Sequence, residues 1–270
     1  SKGITMTKLA FMGAGNMTHA IIGGLIEDGF DVADICAADP AESQLQDLKA
    51  RGIDTTTSNL DGAADADVII ICVKPDVVET LARKIAPATS GKLFISIAAG
   101  ITTDSLSAWL ESTTVIRCMP NTPSMVKRGM TGLFAPASVT REQQQTADSV
   151  LSAIGKTYWF DDEESLDIVT AVSGSGPAYF FYIIEVLQLA AEAQGLSVEA
   201  SKQLVLNTAL GAAEMAIQAS DSVSDLRQKV TSPGGTTAAA LAILEESGVE
   251  AIFANAVSAA RKRSEELSGT

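Results

Sequence analysis

The sequence predicts an α/β domain followed by an all-α domain, and three observations predict it. Through Phe160, short apolar runs of strand length alternate with amphipathic segments, the pattern of βαβ units around a mostly parallel sheet. A glycine-rich turn, Gly13-Ala14-Gly15-Asn16-Met17-Thr18, stands between the first such run and the first helical segment. After Asp161-Asp162-Glu163-Glu164 the strand signals vanish, and Ala/Leu-rich segments with helical spacing continue to Glu266. With the boundary at that acidic patch, residues 1–162 form a Rossmann-type dinucleotide-binding domain and residues 163–270 an all-helical one.

Strands are expected at Lys8–Met12, Ile35–Ala38, Val68–Val73, Leu93–Ile97, Val115–Cys118, Gly132–Ala135 and Thr157–Phe160, with helices in most gaps. The run Val68 to Val73 is apolar without interruption, which suits a central strand covered on both faces. In the second domain Ser173-Gly174-Ser175-Gly176-Pro177 is a breaker cluster. A helix is expected over Ala178–Gln194, with Pro177 in its first turn and Gly195 as its stop. Ser197 caps the next helix, which runs to about Ala219 and has Glu199 in the first turn, where the dipole favours negative charge. Both helices have nearly uncharged faces. A helical domain of this size has little interior of its own, so these faces are expected at a subunit interface; packing on the first domain is the other way to bury them.

Composition narrows the function. A chain of 270 residues suffices for two domains or one large one, and a hydrophobic content of 46% can fill a sizeable core. A formal net charge of −14 with no basic run repels nucleic acid and anionic membrane surfaces. No segment reads as a membrane span or as the apolar core of a secretion signal, so the chain is expected to be cytoplasmic. Cys36, Cys72 and Cys118 lie in or at the end of strand-like runs without C-x-x-C spacing, and the single histidine is His19; buried reduced thiols and no metal are expected. His19 falls on the first helix, as a helix-face residue. Dehydrogenases that deprotonate an alcohol with a His/Asp pair are therefore poor models.

Two turns are suited to anions. In the first, Gly13 permits the tight turn and Gly15 lets a pyrophosphate approach the backbone, while the third position of the fingerprint, usually Gly or Ala, is Thr18. Asp39 ends the second strand, where a carboxylate accepts hydrogen bonds from ribose hydroxyls and leans toward NADH; the same Asp39-Pro40 pair equally suits a turn opening the next helix. Val73-Lys74-Pro75 and Ile97-Ala98-Ala99-Gly100 follow two further strands, with Lys74 either a charge partner of the cofactor or a solvated lysine. The second turn is Thr231-Ser232-Pro233-Gly234-Gly235-Thr236-Thr237. Its two glycines and its hydroxyls at a helix start leave N–H groups free for a small carboxylate, and plain capping by Ser232 or the threonines is the alternative.

Six motifs in order then carry a resemblance over essentially the whole chain. They are Gly13-Ala14-Gly15-Asn16-Met17, Val73-Lys74-Pro75, Ala98-Ala99-Gly100, Arg117-Cys118-Met119-Pro120-Asn121-Thr122-Pro123, Ser173-Gly174-Ser175-Gly176-Pro177-Ala178-Tyr179 and Ser232-Pro233-Gly234-Gly235-Thr236-Thr237. The sequence resembles the pyrroline-5-carboxylate reductase family, whose members carry out the last step of proline biosynthesis. The resemblance implies an NADPH- or NADH-binding first domain, a helical second domain forming an intertwined homodimer or a ring of dimers, and no metal. It implies cofactor contacts at Gly13 to Thr18, Asp39, Asn59, Cys72 to Pro75 and Ile97 to Ala99. It further implies substrate contacts at Ser232 to Thr237, with the Thr237 hydroxyl at the imine nitrogen. Members commonly use NADPH, from which Asp39 departs. Arg117 and Asn121 read as structural and Tyr179 as packing. Two rivals remain: a β-hydroxyacid dehydrogenase, whose catalytic lysine and asparagine Lys202 and Asn207 match poorly at a spacing of five, and a dinucleotide sensor without turnover, which needs no substrate turn.

Overall fold

A computed structural model describes residues 7–268. They form two compact units, one of residues up to 175 together with those from 260 onward, the other Gly176–Ala259.

The first unit runs β1 (Leu9–Met12), α1 (Asn16–Glu27), β2 (Ile35–Ala38), α2 (Glu42–Ala50), β3 (Asp54–Thr56), α3 (Asn59–Ala64), β4 (Val68–Ile71), α4 (Pro75–Ile85), β5 (Leu93–Ser96), α5 (Thr103–Leu110), β6 (Val115–Met119), β7 (Gly129–Phe134), α6 (Arg141–Leu151), β8 (Gly155–Trp159) and α7 (Ser165–Val169). The eight strands make one sheet in the order β3-β2-β1-β4-β5-β6-β7-β8. All neighbours are parallel except β6 and β7. The short, proline-containing link after Met119 explains the exception, because a parallel pair needs a crossover of a dozen residues or more.

The alternation of side chains across the strands builds a core on each face of the sheet. Leu9, Phe11, Val68, Ile70 and Ile95 pack with Ile21, Ile22 and Leu25 of α1 and Val150 and Leu151 of α6. On the other face, Ala10, Met12, Ile69, Ile71 and Phe94 meet Val78, Leu81 and Ile85 of α4 and Leu106 of α5. The expected central strand is indeed buried at every residue, but it stops at Ile71, and Cys72 and Val73 belong to the turn that follows. β7 starts at Gly129, ahead of the expected Gly132. β3 has no counterpart in the expected strands: Asp54-Thr55-Thr56 is a short polar edge strand without an apolar run to betray it.

Past the acidic patch, α7 still packs with the first unit, burying Leu166, and leads into a π-helical turn at Thr170–Gly174. By packing, the chain therefore divides after Ser175, and the end of the last helix returns to the first unit, where Ser264 Oγ donates to Asp167 Oδ1 at 2.6 Å.

The second unit holds α8 (Gly176–Ala193), α9 (Val198–Gln218), α10 (Val223–Lys229), α11 (Thr236–Glu246) and most of α12 (Val249–Ser268). The cap expected at Ser197 is present, its hydroxyl accepting from Ala200 N. α8 starts at Gly176, slightly ahead of the expected Ala178, with Pro177 in its first turn. Among the described residues α8 and α9 each bury one residue, Gly176 and Ser201, and α10 and α11 bury none. Phe180, Phe181, Tyr182, Leu210 and Ile217 are 59–83% exposed on the single chain.

Candidate active site

Strand order reverses between β1 and β4, and open α/β sheets bind ligands outside the carboxyl ends of their strands at such a point. There Cys72 N donates to Met12 O at 2.8 Å, which sets the two strand ends side by side. Gly13, the first residue beyond β1, has φ +100°, and a Cβ on it would stand 3.0 Å from the carbonyl carbon and oxygen of Cys72. Only glycine fits. Gly15 has nothing within 4 Å of its own Cβ position, so a ligand has room to reach its backbone. Thr18, the departure from the fingerprint, is fully buried and donates its hydroxyl to Gly13 O at 2.6 Å. It braces the turn with a hydrogen bond where the usual small residue would only leave space.

The other expected cofactor residues ring this point within the first unit. Asp39 follows β2 and accepts from Ala14 N through Oδ2 at 2.9 Å and from Ala41 N through Oδ1 at 2.8 Å, the second bond being the turn that opens toward α2. Asn59 opens α3; it is buried, and its Oδ1 has no hydrogen-bond partner. Such an orphaned acceptor costs about 1–3 kcal/mol unless a donor such as a ribose hydroxyl completes it. Cys72 is half-buried, and burial pushes its thiol up to about 12 against a smaller opposing effect of the Thr18 hydroxyl. Lys74 is exposed as the N-cap of α4, with Pro75 as the first residue of that helix. Beyond β5, Ile97 is half-buried, Ala98 buried and Ala99 exposed, and Gly100 turns the chain at φ +74°. Small side chains at these strand ends, with Gly15 and Ala99 exposed, suit a flat, extended dinucleotide.

The substrate turn lies in the second unit. Gly234 has φ +72°, Gly235 N donates to Ser232 O at 3.0 Å, and Gly235 is the N-cap of α11, with Thr236 and the half-buried Thr237 as its first two residues. A Cβ on Gly235 would meet Ser232 Oγ at 2.6 Å. Ser232 is thus not the N-cap, and no side chain caps this helix.

Among the helices whose N-cap is described, the starts separate into two kinds. Side-chain caps close α3, α5, α6, α9 and α10, and acidic residues stand in the first turns of α2, α4 and α7. Of these helices, only α1 and α11 have neither. The two starts singled out as anion sites are those where free N–H groups and the positive end of the dipole are left for something else.

Arg117 and Asn121, expected as structural, are both engaged in hydrogen bonds within the first unit. Arg117 is buried and donates through Nη1 to Glu163 Oε1 at 3.1 Å; the same carboxylate accepts from Thr103 N at 2.8 Å and Thr103 Oγ1 at 2.7 Å. Glu163 is more than a member of an acidic boundary, and nothing in the sequence pairs it with partners so distant in the chain. Asn121 donates to Ser173 O at 3.0 Å and accepts from Met130 N at 2.9 Å. His19 lies half-buried on α1 and Tyr179 half-buried on α8. The three cysteines are free thiols, and the described residues hold no group of His, Cys, Asp and Glu able to bind a metal ion. No described helix is long and apolar enough to cross a membrane.

Comparison with known proteins places this arrangement. Residues 163–267 match the family model for pyrroline-5-carboxylate reductase dimerisation, and residues 8–100 match that for NADP oxidoreductases, coenzyme F420-dependent. A pyrroline-5-carboxylate reductase of Pseudomonas aeruginosa is 46% identical over 263 residues, 96% of either chain. Among solved structures, the pyrroline-5-carboxylate reductase of Coxiella burnetii superposes with a TM-score of 0.94 at 41% identity, covering 98% of this chain and 99% of the other. That of Plasmodium falciparum, solved with NADP bound, does so with a TM-score of 0.87 at 32% identity, covering 98% of this chain and 100% of the other. With relatives this similar along nearly its full length, the chain belongs to the pyrroline-5-carboxylate reductase family.

Proposed function

We propose that this protein reduces 1-pyrroline-5-carboxylate to L-proline with NAD(P)H as the hydride donor, closing proline biosynthesis. The observation that carries this reading is the pair of open helix starts: α1 behind a glycine turn at the sheet's switch point, and α11 behind a second glycine turn lined with hydroxyls. The first holds a pyrophosphate and the second a small carboxylate.

The work of each residue follows. Gly13 to Thr18 form the turn around the pyrophosphate, and because Gly13 N and Ala14 N donate to Ala38 O and Asp39 Oδ2, the N–H groups offered to it are those at the start of α1. Asp39 and Asn59 meet ribose hydroxyls, and the small residues after β4 and β5, Cys72 to Pro75 and Ile97 to Ala99, receive the nicotinamide half. A bound reduced nicotinamide supplies the hydride. Ser232 to Thr237 take the substrate carboxylate on the N–H groups of α11, and Thr237 Oγ hydrogen-bonds the ring nitrogen. A cyclic imine is protonated more readily than a ketone. As an iminium it accepts hydride at carbon while its nitrogen keeps the proton, so the protein needs no strong acid and positioning does most of the work.

In the rival dehydrogenase, Asn207 would have to meet substrate; here its amide turns back on its own helix and donates to Gln203 O at 2.8 Å. The domain roles follow the acidic boundary: 1–162 bind the cofactor, and 163–270 bind the substrate carboxylate and form a homodimer, with rings of dimers as the larger assembly. We place the enzyme in the cytoplasm, acting on a small molecule without nucleic acid or membrane.

Consumption of NADH and of NADPH with 1-pyrroline-5-carboxylate, with proline as the detected product, tests the reaction. Turnover is expected, and none with either nucleotide overturns it. In the same assay Thr237→Ala loses one hydrogen bond worth about 1–3 kcal/mol, roughly tenfold to a hundredfold in kcat/KM. Unchanged kinetics would remove Thr237 from the mechanism.

A further inference from the structure

We propose that the protein selects NADH over NADPH and that the Asp39 carboxylate is the group that rejects the 2′-phosphate. The inference rests on the dinucleotide-binding reading of the first unit. Three observations carry it.

First, the carboxylate is pinned. Oδ2 accepts from Ala14 N in the middle of the glycine turn, and Oδ1 accepts from Ala41 N ahead of α2. Asp39 N in turn donates to Thr56 O at 3.2 Å, and Gly13 N to Ala38 O at 2.8 Å. A negative charge held from both sides cannot swing away when a phosphate carrying up to about two further negative charges is brought beside it.

Second, no cation is placed to compensate. From Pro40 to Leu48 the chain has no lysine or arginine, but does have Glu42 and Asp47. Lys49 falls in the last turn of α2, about 10 Å along the axis from its first residue. The Arg51 guanidinium lies 3.6 Å from the Cβ position of Gly23, about two turns along α1 from the glycine turn. Opposite, the first turn of α3 contributes Asp61.

Third, the start of α2, the remaining source of positive potential here, is already answered. Asp39 Oδ1 takes the Ala41 N–H, and Glu42 occupies the first turn. A ribose with a free 2′-hydroxyl donates to the carboxylate, whereas a 2′-phosphate can only accept and repel.

Calorimetric titration of the full chain with ADP-ribose and with 2′-phospho-ADP-ribose reads the selectivity without turnover, and kcat/KM with NADH and NADPH reads it in the reaction. ADP-ribose is expected to bind at least about tenfold more tightly, a difference of about 1.4 kcal/mol, and raising the salt should shrink that ratio because it screens the repulsion. Asp39→Asn, which keeps the shape and removes the charge, should bring the ratio toward one by improving the phosphorylated ligand; Asp39→Ser is the second variant should the amide disturb the turn. Equal or tighter binding of 2′-phospho-ADP-ribose by the unaltered protein overturns the inference, as does a ratio indifferent both to salt and to removal of the charge. Failure of both ligands to bind overturns the dinucleotide site itself. Selective binding without reduction of pyrroline-5-carboxylate leaves the selectivity standing and overturns only the reaction.

Discussion

At Gly13 a backbone angle and a neighbour's carbonyl make the same demand, and the glycine was readable in the sequence because the turn it permits has a known spacing. Thr18 was readable only as a departure. Its compensation, a hydrogen bond to the Gly13 carbonyl, depends on how the first turn of α1 folds back over the loop. Asp39 was readable as an acid at a strand end but not as an acid bonded to Ala14, since that contact joins two strands. Of the three cysteines expected as buried, Cys118 is buried while Cys36 and Cys72 are half-buried, and their desolvation has a pH consequence. It raises the thiol of Cys36 to about 11 and that of Cys72 to about 12 from an ordinary 9.0, with Asp54 and Asp65 adding to the shift at Cys36. A group whose folded value is raised contributes stability in full below the unfolded value of 9.0 and loses it as pH climbs toward 11 to 12, because the unfolded chain ionises first. The unfolding free energy from urea titrations should therefore fall between about pH 8 and about pH 10, by on the order of 1 kcal/mol per thiol. Cys36→Ala combined with Cys72→Ala should reduce that fall to the share of Cys118, whose thiol burial also raises; an unchanged slope would assign it to other groups.

Helix starts divide by chemistry, and each division can be tested on an element. α5 is closed twice: the Thr102 hydroxyl accepts from Ser105 N, and Glu163 receives the N–H and hydroxyl of Thr103 while pairing with the buried Arg117. Glu163→Ala strands the guanidinium and should cost about 3 kcal/mol in urea unfolding. Glu163→Gln, which keeps acceptors for Thr103, should cost distinctly less; equal losses would locate the stabilisation in the charge pair alone. The inner strands were legible because burial on both faces makes them apolar throughout, and the long helices because Ser197, Pro177 and Gly195 mark their limits. β3 was illegible because a polar edge strand is made by pairing with β2, with nothing in its own composition. The antiparallel turn of β7 was illegible because direction depends on the length of the link, which the alternation of strands and helices does not encode.

At the scale of the molecule, the second unit cannot stand as a monomer's globule: its helices bury almost nothing within the chain while Phe181 and Leu210 stay largely exposed. Such surface suits oligomerisation, in accord with the dimerisation family model that residues 163–267 match. Light scattering behind size-exclusion chromatography should give a mass in even multiples of the 28.0 kDa chain, and Phe181→Glu with Leu210→Glu should lower it or make the protein aggregate. A wild-type monomer would refute the assembly. The sequence by itself determined the sheet domain, the helical domain, the two glycine turns and hence the chemistry, because periodicity, glycine spacing and helix punctuation are local and act before any tertiary contact forms. The tertiary structure alone decided that the strand order reverses where Gly13 meets Cys72, that Glu163 serves Arg117 and Thr103, and that the end of α12 rejoins the first unit through Ser264 and Asp167. Those contacts join residues far apart in the chain, and their partners are chosen by packing the whole domain rather than by any segment's own preference.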